Sequence, residues 1–322
     1  MNTNPFSSVL VALSFAAISL GGCAVSSDDQ DALLGYEEDV GEAEQAVTTV
    51  PFPGSLTATL GASTISSYEP SGLARRNGVL YMASDKGEIA RYVSSSNTWT
   101  TEISGSDDFE SLTTATNNQL MVGVEGTTSN AARIRKVNIG SPSSLGQSWT
   151  LSNVSNMEAM TFVPDNYTPF GPANTTGHPS DFNGYFFVAT QNNVGSIAAY
   201  RLDQGSSTGT KVGDYAIDIT LQTSDLVFAN GVLYALFDDH NATDLLAVYV
   251  VNTNPSNKVL GFQKQYGLPN VNGTDFNYEG ITFDGQTIYL GRDNNNNSSD
   301  NGVYQFANTI IYPQTVLPPV SW

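Results

Sequence analysis

One sentence of residues is written five times in this chain, and it constrains the fold more than any other feature. Its clearest copy spans residues 277–291, Asn-Tyr-Glu-Gly-Ile-Thr-Phe-Asp-Gly-Gln-Thr-Ile-Tyr-Leu-Gly. Glu279-Gly280 opens a short apolar run, Asp284-Gly285 turns the chain, and a second apolar run ends at Arg292-Asp293. The other copies open at Ser71-Gly72-Leu73, Glu110-Ser111-Leu112, Glu158-Ala159-Met160 and Ser224-Asp225-Leu226. Runs rich in Val, Ile, Thr, Tyr and Phe, punctuated by Gly, Asn, Asp and Ser, read as strands and turns. Two further strands follow each pair. Third strands are expected at residues 88–93, 132–138, 196–202, 245–251 and 302–306. Fourth strands are expected at 99–104, 148–152, 210–218 and 259–266. The last unit takes its fourth strand either from residues 310–315 or from the N-terminal stretch 55–62.

Four-stranded units repeating at this length predict an all-β fold, a β-propeller. One four-stranded sheet cannot bury both faces alone; set radially, each sheet covers the next. Five blades are counted, and six if the long gap between residues 158 and 224 holds a degenerate unit. Closure by a terminal strand removes the open edge.

Before residue 50 the grammar differs. Residues 9–20 form an apolar stretch of signal-peptide length, too short to span a bilayer. It ends Leu20-Gly21-Gly22-Cys23, which looks like a bacterial lipobox, although residues 1–8 hold no Lys or Arg. Cys23 is the only cysteine, so no intramolecular disulfide forms. The expectation is a lipoprotein signal peptide at residues 1–23 with Cys23 lipidated, or an ordinary signal peptide cut nearby. Either way the protein is exported. It is then lipid-anchored in a bacterial outer membrane or cell envelope, or released outside the cell. Residues 24–49 are acidic and poor in aromatics, and read as a flexible tether. Residues 50–322 form the folded domain.

Charge narrows the partners. The formal charge is −19, which excludes nucleic acid, because phosphate binding needs a Lys/Arg surplus. It favours cations or cationic groups. Propeller topology puts the residues that open first strands and those that end second strands on one rim. That rim collects Glu69, Asp85, Asp107, Asp108, Glu110 and Glu125. It continues through Glu158, Asp225, Asp238, Asp239, Asp275, Glu279 and Asp293, with His240, Lys86 and Arg292 among them.

At the equivalent repeat position the ring reads Ser71, Glu110, Glu158, Ser224, Glu279. Carboxylates aimed into one channel repel. One resolution is a divalent cation, Ca²⁺ by its all-oxygen ligands, held by Glu110, Glu158 and Glu279 with Asp225 as a further ligand. The other is that these carboxylates accept backbone N–H bonds from the neighbouring blade and hold the ring together.

The motifs Pro-Ser-Gly-Leu, Phe-Glu-Ser-Leu, Met-Glu-Ala-Met and Tyr-Glu-Gly-Ile resemble those of the SdiA-regulated family of bacterial β-propellers. They are also similar to phytase-like, or "esterase-like", propeller domains. The likeness runs over residues 68–306. It implies acidic motif residues clustered at the channel and a bound Ca²⁺. Phytases also need a Lys/Arg cluster around phosphate, and here only Lys86 and Arg292 stand on the rim.

Other motifs carry less. Gly205-Ser206-Ser207-Thr208-Gly209 fits a nucleophile elbow, which requires a strand-to-helix turn; here it joins two strands. His178 and His240 are the only histidines, too few for a zinc site. The asparagine-rich stretch 293–302 lacks the glycine and glutamate of an EF-hand loop. The expectation is a monomeric binding or scaffold propeller with a small-molecule or protein ligand at the acidic rim, touching membrane only through its lipid. The alternative is a metal-dependent phosphoester or ester hydrolase on the same rim.

Overall fold

The computed structural model describes residues 48–307, apart from 128–129, 177–179, 181, 193, 230, 239–242, 252, 254–258, 272–276, 286 and 294–300. The expected signal peptide, Cys23, nearly all of the tether, His178, Asp239, His240, Asp275 and the 310–315 strand lie outside the described residues.

The regular structure of the described chain is all β-strand but for three short 3-10 turns, with loops and turns between. Short strands β1 (Thr49–Pro51) and β2 (Ser55–Leu60) precede the first unit, β3 (Pro70–Arg76), β4 (Val79–Ser84), β5 (Glu88–Val93) and β6 (Thr98–Ser104). The second unit is β7 (Phe109–Ala115), β8 (Gln119–Val124), β9 (Arg133–Asn138) and β10 (Ser144–Leu151). The third is β11 (Met157–Pro164), β12 (Gly184–Thr190), β13 (Ser196–Leu202) and β14 (Thr208–Ala216). The fourth is β15 (Gln222–Ala229), β16 (Val232–Asp238), β17 (Leu245–Val250) and β18 (Gly261–Gly267). The chain ends on β19 (Tyr278–Asp284), β20 (Thr287–Arg292) and β21 (Gly302–Ala307).

Within each unit successive strands pair antiparallel. The second and third units also touch at their outer edges, where β10 and β14 run parallel over Thr150–Thr208 and Leu151–Gly209, so that the two form one eight-stranded sheet. β2 pairs antiparallel with β21 and completes the sheet that the chain's end began. Of the two closures read from sequence, the N-terminal one is observed. β1 was not expected: it lies parallel to β18 as an added strand, starting inside the stretch assigned to the tether.

First strands adjoin one another in turn: β3 lies against β7, β7 against β11, β11 against β15, β15 against β19, and β19 against β3. Strand periodicity explains what holds them. Successive side chains point to opposite faces, so each sheet serves two cores. In β12, Phe186 and Val188 pack with Trp149 and Leu151 of the second unit. Tyr185, Phe187 and Ala189 face the other way, onto Leu233, Ala235 and Phe237 of the fourth.

The same alternation builds the cores between the first and second units, the fourth and last, and the last and first. Burying one such side chain contributes about 1.5–3 kcal/mol. The seam where the ends of the chain meet is sealed by Trp99. It packs with Leu60, Met82 and Val303, and its Nε1 donates to Leu60 O at 3.1 Å.

Approach at the centre is close. A Cβ on Gly72 would stand 2.6 Å from Leu112 N and 2.7 Å from Ser111 Cα, so glycine is what lets β3 meet β7. The long gap between residues 158 and 224 holds β11–β14 and, among the described residues, no further sheet. It is filled by the connection between β11 and β12, where Tyr185 Oη donates to Gly171 O at 2.9 Å.

Candidate metal centre

Every first strand carries one irregularity at one place. The register shifts between Pro70 and Gly72, Phe109 and Ser111, Met157 and Ala159, Thr223 and Asp225, and Tyr278 and Gly280. The extra residue is therefore Ser71, Glu110, Glu158, Ser224 or Glu279, which are the repeat positions read from sequence. A bulge re-aims the side chain it inserts. Here it turns three glutamates and two serines out of the pleat at the same end of the first strands.

The ends of the second strands form a matching ring. Asp85 N donates to Glu69 O, Glu125 N to Asp108 O, Gln191 N to Asn156 O, and Asp293 N to Asn277 O, at 2.9–3.3 Å. Asp238 faces Gln222 in the equivalent pair. The two rings converge on Asp85. Oxygens of Asp85, Asp108 and Glu110 lie within 4.8 Å of one another, and so do oxygens of Asp85, Glu279 and Asp293. Asp85 can reach inward because its own unit has the short Ser71 at the bulge. Asp85 Oδ1 and Asp108 Oδ1 are buried and have no hydrogen-bond partner among the described residues.

Electrostatics follow from this crowding. Burial, then Asp85, Glu158, Asp108 and Glu279, push the Glu110 carboxyl up to about 11. Burial and the charges of Glu125, Asp85, Asp108 and Asp238 push Glu158 up to about 8. Glu279 is raised well above the carboxylate range by burial, Asp85 and Asp293, against a 2.7 Å hydrogen bond from Asn277. Asp85 rises to about 7 through burial and the charges of Asp293 and Asp108. Cations nearby are engaged elsewhere. Lys86 pairs with Glu69 at 3.0 Å, Arg133 and Arg135 clamp Asp107 at 2.9 and 2.6 Å, and Arg292 Nη1 donates to Val271 O at 3.0 Å.

Two of the expected ligands stand apart from the three-oxygen groups found among the described residues. Asp225 is not in either three-oxygen group. It is fully buried and accepts backbone N–H groups: Leu226 at 2.8 Å, Ile281 at 2.7 Å, and Leu73. It thus takes the alternative role, joining three first strands, because it stands one residue past the bulge and points back at the neighbouring backbone. Glu158 shares the field of the cluster but is also outside both groups.

The serines at the two other repeat positions bond forward as well. Ser224 donates to Tyr278 O at 2.8 Å and Ser71 to Phe109 O. What sequence reading left in the crowd was Asp85, the residue both groups share. Its signal was the serine at its own unit's repeat position, which leaves space for a neighbour's carboxylate. Gly205–Gly209 is the β13–β14 hairpin, with Ser206 N donating to Asp203 O at 3.2 Å, so it is no nucleophile elbow.

A chain of four-stranded antiparallel units whose first strands adjoin in turn is a β-propeller, and this one carries its carboxylates at one end of those strands. No protein-family model matches the chain, and no curated protein matches it by sequence. Solved structures do. The glutaminyl cyclase of Myxococcus xanthus is similar over 80% of this chain and 97% of its own, with TM-score 0.53 and 9% identity. A gluconolactonase from Xanthomonas campestris is similar over 81% and 96%, with TM-score 0.43 and 10% identity. At 9% identity the likeness to the cyclase is one of fold alone.

Proposed function

We propose that this protein is a five-bladed propeller that binds a divalent cation, Ca²⁺ by ligand chemistry, through Asp85 together with Glu110 and Asp108 on one side and Glu279 and Asp293 on the other. The observation that carries the reading is Asp85 itself. One half-buried carboxylate stands among four others, and its buried Oδ1 has no hydrogen-bond partner among the described residues. Removing charge from water without a partner is expensive, and carboxylate-only ligand sets suit hard cations. Five first strands, each adjoining the next, support the blade count.

The cation makes the acidic mouth a binding site for a ligand that brings oxygen or positive charge. The protein acts as a binding module at the cell envelope, held there through Cys23. The SdiA-regulated likeness of the repeated motifs and the lipobox-like Leu20–Cys23 support that placement. The test is a calorimetric titration of chelator-treated protein with Ca²⁺ and Mg²⁺, alongside Asp85→Asn. Binding by the parent chain and its loss in the variant uphold the reading.

A second reading rests on Glu158, a carboxylate beside the cluster that neither oxygen group uses. A bound cation would supply Lewis acidity, and Glu158 would take the proton of an attacking water. That makes the protein a metal-dependent hydrolase of phosphate or carboxylic esters. Turnover of p-nitrophenyl phosphate, phytate or p-nitrophenyl acetate that needs Ca²⁺ and Glu158 would select it over the binding module.

A further inference from the structure

Beyond the Leu151–Gly209 pair that joins the second and third units, the two units enclose a cavity of about 240 Å³. One wall is a face of the third unit's sheet. Deep on that face Phe186 and Tyr200 are cross-strand partners, and nearer the rim Val188 faces Ala198. Thr190 and Ser196 follow on the same face, because side chains two residues apart in a strand share one. Side chains this short leave space that Phe186 and Tyr200 fill lower down. On β14 the register shifts opposite Ala199 and Tyr200, so that Lys211 and Asp214 share this face and pair at 2.7 Å. The other wall is the loop 153–155, between β10 and β11. It is held at both ends: Ala132 N donates to Val154 O at 2.8 Å, and Asn156 N to Gly126 O at 2.8 Å.

Six polar side chains line this cavity: Asn153, Ser155, Thr190, Asn192, Ser196 and Tyr200. None of them has a hydrogen-bond partner among the described residues. Tyr200 is the informative one. It is 2% exposed, and its ring belongs to the core between the second and third units. Its hydroxyl feels the charge of Asp214 on the cavity face, and burial with that charge pushes the phenol up to about 12. The phenol therefore keeps its proton, and like the amides and the other hydroxyls it can both donate and accept. The charged groups of this face, Lys211 and Asp214, satisfy each other.

We infer that this cavity is a second binding site, for a small neutral polyol of the size of a monosaccharide or cyclitol. The unpaired groups are all uncharged, and each can give and take a hydrogen bond, which is what a hydroxyl-bearing ligand requires of its partners. They are spread over two walls, as hydroxyls are spread around a ring, so no two of them need meet at one point. A charged ligand would have to compete with the Lys211–Asp214 pair. Size agrees: a cavity of about 150 Å³ takes a benzene ring, and the larger volume here leaves room for substituents on a six-membered ring. The site shares no residue with the cation ligands and does not depend on them.

The probes are glucose, galactose, mannose and myo-inositol, with cyclohexanol as a six-membered ring bearing one hydroxyl. Binding is followed by saturation-transfer NMR and calorimetry on the intact protein. At least one of the four polyols is expected to saturate in the millimolar range, and cyclohexanol to bind at least about tenfold more weakly. Tyr200→Phe keeps the ring and removes only the unpaired hydroxyl. It should weaken the polyol about threefold or more and leave the melting temperature of the ligand-free protein unchanged. Thr190→Val should weaken it to a similar degree, and Ala198→Phe, which fills the cavity without removing a polar group, should abolish binding. Chelator should leave the affinity as it is. No binding of any of the four, cyclohexanol binding as tightly, affinity unchanged in Tyr200→Phe or Ala198→Phe, or a requirement for Ca²⁺ overturns the inference. The comparison of probes on the parent chain decides the matter even if a variant fails to fold.

Discussion

Asp225 Oδ2 accepts the backbone N–H of Ile281, on the neighbouring first strand, at 2.7 Å. Its other oxygen takes Leu226 N–H, and Leu73 N–H also reaches it. One side chain therefore ties the inner strands of three units together. Removing it leaves buried amides without an acceptor, at about 1–3 kcal/mol for each group left unsatisfied. Asp225→Ala is expected to lower the unfolding free energy by about 3 kcal/mol or more in urea titrations. It should leave cation affinity within about twofold, because Asp225 is not among the proposed ligands.

Gly72 makes a different demand on the same region. A side chain there would overlap Leu112 N and the Ser111 backbone, and β3 could not keep its place beside β7. Gly72→Val is expected to destabilise by more than Val79→Ala, a truncation at the partly buried far end of the neighbouring strand. Thermal unfolding of the two variants, followed by circular dichroism, gives the comparison.

The raised carboxyls fix a sign for pH dependence. In the unfolded chain Asp85 and Glu158 titrate near 3.8 and 4.5, whereas in the fold they titrate near 7 and 8. Between those values the folded state holds protons that the unfolded state has lost, so stability is greatest at the acidic side and falls as pH rises. Cation-free protein should melt at least about 5 °C lower at pH 8.5 than at pH 5. Saturating Ca²⁺ favours the ionised carboxylates, so its stabilisation should grow over the same window. Differential scanning calorimetry with and without chelator checks both slopes.

Glu110 and Glu158 are repeat equivalents with different assignments. Glu110 offers an oxygen to a three-carboxylate group; Glu158 does not. Glu110→Gln is expected to weaken Ca²⁺ binding tenfold or more, and Glu158→Gln by less than threefold. Any Ca²⁺-dependent ester turnover should vanish in Glu158→Gln although its cation stays bound.

Much of this was legible before any coordinates. The five repeats marked the first strands, and the residue opening each repeat is the one that the bulge turns aside. The 55–62 stretch was correctly one of two candidates for the closing strand. The short β1 was not legible, because three residues without alternation carry no periodic signal. Asp225 stands among backbone amides rather than among the other carboxylates for a physical reason. Sequence spacing places a carboxylate near an axis, but one residue past a bulge the side chain meets backbone amides instead of other carboxylates. Asp85 was visible only as one acid among many, since its role depends on the space that Ser71 leaves.

Calorimetric titration of chelator-treated protein with Ca²⁺ at pH 7 tests the central claim most directly. The account predicts saturable binding at micromolar to low millimolar concentration, accompanied by proton release from carboxyls held protonated in the fold, and lost in both Asp85→Asn and Glu279→Gln. Absence of binding to millimolar Ca²⁺ and Mg²⁺, or binding that survives both substitutions, would contradict it.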